Sequence, residues 1–63
     1  MPITVRDMIK RIEADGWALD RQRGSHRQFK HPMKTGLVTV PGQLGKDLDP
    51  GTERSILKQA GLK

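Results

Sequence analysis

The sequence contains no cysteine. That excludes a disulfide framework, a thiolate metal site and a thiol nucleophile, and it fits a reducing compartment. There is no tyrosine, and Trp17 and Phe29 are the only aromatic residues. Sheets that bind nucleic acid by stacking bases display aromatics to solvent. These two are therefore expected in the core, and contact with a nucleic acid is expected to run through its backbone. No apolar run approaches the ~20 residues that a membrane span requires, and Met1-Pro2-Ile3-Thr4 lacks the charged-then-apolar pattern of a signal peptide. A soluble cytoplasmic protein without a membrane partner is expected. With 63 residues there is room for one domain, 1–63, and one thin core. A deep substrate cavity does not fit, so an active site is expected on the surface and no small-molecule ligand is expected.

Acidic residues are missing from the middle of the chain: none stands between Asp20 and Asp47. The same interval holds Arg21, Arg23, Arg27, Lys30, Lys34 and Lys46 together with His26 and His31, and the whole chain carries a formal charge of +5. A basic middle between mixed-charge ends predicts one positive face. Such a face attracts phosphate-bearing partners or an acidic protein surface.

The local signals give an element order. Thr4 and Asp7 form an acidic version of the capping box. Val5, Met8, Ile9 and Ile12 then recur at helical spacing, predicting a first helix from Thr4 to Asp15 with Gly16 ending it. Trp17 and Leu19 alternate with Ala18 and Asp20, as in a strand. Gly24-Ser25 is a turn signal, and a second strand runs from His26 to His31, stopped by Pro32. Leu37-Val38-Thr39-Val40 reads as a third strand ended by Pro41. A glycine-rich loop follows, in which Lys46 is a phosphate contact or a solvated lysine, and Asp47 and Asp49 are open to a metal role or, for one of them, a helix cap. Asp49-Pro50 caps a second helix, with Thr52 as the alternative cap. Ile56, Leu57 and Ala60 are its apolar stripe, and Gly61 terminates it. The predicted fold is α+β, in the order α-β-β-β-α. It is a three-stranded antiparallel sheet with both helices packed on one face, an order shared by double-stranded-RNA-binding domains.

His26 is the sharpest candidate for chemistry. It follows the Gly24-Ser25 turn at the start of a strand. Its sequence neighbours are basic. A neutral histidine accepts a proton and its conjugate acid donates one. RNA offers a matching proton on the 2′-hydroxyl, and the charge that develops on the attacked phosphate calls for cationic donors. Arg23, Arg27 and Lys30 are the nearest in sequence. The plainer reading of His26 is a solvated turn histidine, and composition and spacing leave both open. Gly24 lets a phosphate approach the backbone or simply serves the turn. Ser25 is a turn-former or phosphate donor rather than a nucleophile. His31 reads as a surface residue at a strand terminus, with a second acid–base role as the alternative. A spacing of five puts it on the opposite side of a regular strand from His26. Two histidines without cysteine make a poor metal constellation, so neither metal nor cofactor is expected.

The residues Asp15-Gly16-Trp17, Arg23 through Pro32, Val38-Thr39-Val40-Pro41, Gly51-Thr52 and Ser55 through Leu62 together resemble the HicA family of toxins. The resemblance covers nearly the whole chain, in order. It implies a double-stranded-RNA-binding-domain-like fold and ribosome-independent mRNA interferase activity in a bacterium or archaeon. It also implies neutralisation by a cognate HicB-type antitoxin, whose partly degraded RNase H-like domain covers the toxin. The family's catalytic histidine maps onto His26, and the glycine two residues before it onto Gly24. One departure stands out: family members often carry a histidine soon after the Val-Pro that ends strand three, whereas here Gly42, Gln43 and Leu44 follow Pro41.

The expected function is thus the toxin of a type II toxin–antitoxin system. It would be an endoribonuclease cleaving mRNA by metal-independent acid–base catalysis through His26, with Arg23, Gly24, Ser25, Arg27 and Lys30 binding substrate. The rival readings are a non-catalytic module of the double-stranded-RNA-binding type and a protein-interaction module whose basic face meets an acidic partner.

Overall fold

The computed structural model describes residues 3–62; the reading of Met1 and Pro2 as lacking a signal pattern lies outside them. Helix α1 runs Val5–Ala14, strands β1, β2 and β3 run Ala18–Arg23, His26–Lys30 and Val38–Val40, and helix α2 runs Pro50–Gln59. The strands form one antiparallel sheet in the order β1-β2-β3.

Local chemistry sets both helices' ends. The Thr4 hydroxyl accepts from the Asp7 amide at 3.1 Å. The Asp49 carboxylate accepts from the Thr52 amide at 3.0 Å, with Pro50 opening the helix. Thr52 is not the cap; its hydroxyl donates to Asp49 at 2.6 Å. At the far end of α1, Gly16 adopts φ 108°, its amide reaches Glu13 and the Trp17 amide reaches Ile12. At the end of α2, Gly61 adopts φ 74°, its amide reaches Lys58 and the Leu62 amide reaches Leu57. Both are the paired closure of a Schellman motif, for which glycine supplies the left-handed residue.

The core lies between the sheet and the helices. Val5, Met8 and Ile12 of α1 and Ile56 and Leu57 of α2 meet Phe29, Val38 and Val40 of the sheet, with Trp17, Leu48 and Ala60 filling the rim. Both aromatics are buried. Trp17 precedes β1 rather than belonging to it, and its indole N–H donates to the Ala60 carbonyl at 3.3 Å. Leu19 lies on the edge strand, beyond the helices' cover, and stays half exposed. Leu37 falls outside β3 and is exposed.

The loop after β3 is tied down. The first free amides of α1, at Val5 and Arg6, donate to the Lys46 and Leu44 carbonyls at 2.8 and 3.1 Å. The loop therefore satisfies donors that a helix start leaves open. Asp47 pairs as an isolated bridge with Thr4.

His31 departs from the surface position expected of it. β2 ends at Lys30, and the His31 side chain turns inward to 8% exposure. Its Nδ1 accepts from the Met33 and Lys34 amides at 2.9 and 3.2 Å, and its Nε2 lies 2.6 Å from the Asp15 carbonyl. A carbonyl only accepts, so these partners select the Nε2–H tautomer. The ring also meets Trp17 edge-on, centroids 5.2 Å apart. Beside it, Lys34 bonds the Asp15 carboxylate at 2.6 Å and the Ala60 carbonyl at 2.9 Å. His31 and Lys34 thus join the ends of both helices to the β2–β3 loop, which is a structural role.

Candidate functional site

β1 and β2 are joined by the two residues Gly24 and Ser25, because Arg23 pairs directly with His26. Gly24 has φ 59°, and among the described residues none other than glycine has positive φ. A two-residue hairpin with only its first position positive matches the type II′ turn, whose twist suits the flanking strands. The turn sets His26 at the head of β2. In β2, Arg27 and Phe29 face the helices, so His26, Gln28 and Lys30 face the open side.

The register of β1 decides which cations join His26. Leu19 pairs with Phe29, but the next pair is Arg21 with Gln28, leaving Asp20 as a bulge. In an unbroken strand Arg21 and Arg23 would share the inward side of Leu19. The extra residue re-aims them to the face of His26. Arg21, Arg23, His26, Gln28 and Thr39 consequently line one concavity of about 300 Å³. The His26 imidazole is exposed and has no hydrogen-bond partner among the described residues, so both ring nitrogens are open to a substrate.

The other expected site residues divide. Arg23, Gly24 and Ser25 sit beside His26. Arg27 does not: its guanidinium turns inward and donates to the Gly42 carbonyl at 2.9 Å and more weakly to Ser25 at 3.4 Å. It anchors the loop after β3. Lys30 shares the face of His26 but stands ~13 Å along the strand, where it pairs with Asp20 at 3.5 Å. Arg21, Gln28 and Thr39 were missed by sequence reasoning. Strict alternation along β2 marks Gln28, whereas Arg21 needs the bulge and Thr39 needs the pairing of β3.

A second groove, of about 440 Å³, opens between β3 and α2 and shares His26 and Thr39 with the first. Asp49, distant in sequence, reaches it as well. Its carboxyl is held below the usual value, chiefly by the Thr52 hydroxyl and then by the Thr52 amide. Among the described residues no cluster of three or more His, Asp or Glu is placed to hold a metal ion, and no helix is long and apolar enough to cross a membrane.

A solved structure described as a toxin–antitoxin complex from Streptococcus pneumoniae contains a chain similar to this one. The two share 37% identity over 97% of this chain and 100% of that chain, with a TM-score of 0.77. No curated protein matches the chain. A family model described as the HicA toxin of bacterial toxin–antitoxin systems matches residues 5–62, and with that match over the elements just described the chain belongs to the HicA toxin family.

Proposed function

We propose that this toxin, as the single domain 1–63, is an endoribonuclease that cuts mRNA in the cytoplasm, with His26 as its proton-transfer group. The observation that carries the reading is the concavity joining an exposed, unpartnered His26 to Arg21 and Arg23. The neutral imidazole takes the proton of a ribose 2′-hydroxyl. The 2′-oxygen forms a bond to the adjacent phosphorus, the bond from phosphorus to the 5′-oxygen breaks, and the imidazolium returns the proton to that leaving oxygen. The products are a 2′,3′-cyclic phosphate and a 5′-hydroxyl, so atoms and charge balance without a metal. Arg21 and Arg23 hold the phosphate and offset the charge that builds on it. Gly24 and Ser25 bring the turn backbone close to the strand being cut, and Lys30 extends the basic track. Arg27 acts indirectly, by positioning the loop after β3.

The similar chain from Streptococcus pneumoniae occurs in a toxin–antitoxin complex. A HicB-type antitoxin covering the basic face of this chain would silence it. Inducible expression tests the nuclease reading: wild type should arrest growth and deplete mRNA, and His26→Ala should do neither. Purified wild type should cut single-stranded RNA in EDTA, and His26→Ala should be slower by about 10²–10⁴-fold. Salt-sensitive RNA binding without cleavage by folded wild-type protein would instead favour the non-catalytic binding module.

A further inference from the structure

We propose that the groove between β3 and α2 is a base-recognition subsite: it takes an unpaired nucleobase beside the scissile phosphate, and Ser55 and Gln59 read that base's polar edge. The inference rests on the nuclease reading and deepens it.

His26 and Thr39 line both concavities, so a substrate engaged by His26 spans the two. Their chemistry differs. The sheet side offers Arg21 and Arg23. The helix side has no lysine or arginine in its lining, and it includes the Asp49 carboxylate. The groove thus lacks the lysine and arginine side chains that hold a phosphate on the sheet side, and it suits a neutral group. Pro41 and Ile56 supply apolar wall, and the volume lies within the roughly 300–1,000 Å³ of small-ligand clefts.

Most polar atoms of the groove are already engaged within the protein. The Asp49 oxygens are engaged by the Thr52 amide and hydroxyl. Gln59 Oε1 accepts from the Thr39 amide at 3.1 Å, and Gln59 Nε2 donates to Ser55 Oγ at 3.2 Å. An amide nitrogen has two hydrogens and a hydroxyl has one. One N–H of Gln59 and the O–H of Ser55 are therefore left, fixed relative to each other by their own hydrogen bond. Two fixed donors favour a base edge that presents acceptors. In a duplex the base is stacked within the helix and does not reach such a groove, so the subsite requires a single strand.

The test uses a pool of single-stranded RNA randomised around its centre, cut by wild type, Ser55→Ala, Gln59→Glu and Arg23→Ala, with the cut ends sequenced. Gln59→Glu keeps an acceptor for the Thr39 amide and removes the N–H donor; Ser55 is exposed on α2, and circular dichroism checks each fold. Wild type should prefer certain bases at one position flanking the cut. Both helix variants should change that preference by about fivefold, the ratio expected for one hydrogen bond. Arg23→Ala should lower cleavage at all sites and leave the preference intact. Wild-type preferences in both helix variants would overturn the subsite, as would an equal loss at every base, which would place the two residues on the sugar–phosphate backbone. Wild type that cuts nothing would instead remove the nuclease reading itself.

Discussion

Gly16→Ala isolates the junction that holds α1, the β2–β3 loop and α2 together. Gly16 has φ 108°, and a Cβ built there would lie 2.6 Å from His31 Nε2. The backbone conformation alone costs a side chain about 1–3 kcal/mol. The methyl must also displace the imidazole, whose Nε2 bonds the Asp15 carbonyl and whose Nδ1 receives two amides. Losing one such bond and weakening another adds about 1–2 kcal/mol. The sum is about 2–5 kcal/mol, and a domain of this size has only about 3–9 kcal/mol in total. At 4–8 °C for each kcal/mol, melting should fall by about 8–40 °C. Thermal and urea unfolding followed by far-UV circular dichroism measure this directly. Gly24→Ala is the control, because Gly24 also has positive φ but a Cβ there meets nothing within 4 Å. It should show the conformational cost alone. A loss below about 1 kcal/mol in Gly16→Ala, or equal losses in the two variants, would refute the role given to His31.

Arg27→Ala should destabilise by about 1–3 kcal/mol in urea melts, because it leaves the Gly42 carbonyl without its charged donor. Arg23→Ala, exposed at the hairpin, should stay within about 0.5 kcal/mol of wild type while losing RNA affinity. Acid should also weaken the fold. The Lys34 ammonium holds the Asp15 carboxyl below its usual value of 3.8, and Thr52 does the same for Asp49. A depressed carboxylate stabilises the fold above the unfolded value and loses that stabilisation as pH falls through the folded one. The melting temperature of wild type should therefore drop below about pH 4, and a double Asp15→Asn, Asp49→Asn variant should lose less over that interval.

Most of the element order was legible before any tertiary contact because its signals are local. Thr4, Asp49-Pro50, Gly16 and Gly61 act within one helical turn of themselves, and the apolar spacing of Val5, Met8 and Ile12 marks a buried face wherever the helix docks. The Gly24-Ser25 turn and the head of β2 were legible for the same reason, so His26 emerged as the candidate from the residues and from the family pattern alike.

What the sequence could not assign was the direction of side chains whose orientation depends on a partner elsewhere in the chain. Nearness in sequence made Arg27 look like a companion of His26, yet the neighbouring position on a strand faces the opposite side, and Gly42 takes its guanidinium. The bulge at Asp20 turned Arg21 and Arg23 outward, a choice visible only in the pairing with β2. His31 went inward because Asp15, Met33, Lys34 and Trp17 surround it. The groove carrying Ser55 and Gln59 exists only because α2 packs beside β3. Local backbone preferences determined which elements form and where they stop. Strand register and helix docking, which depend on residues far apart in the chain, decided what faces His26.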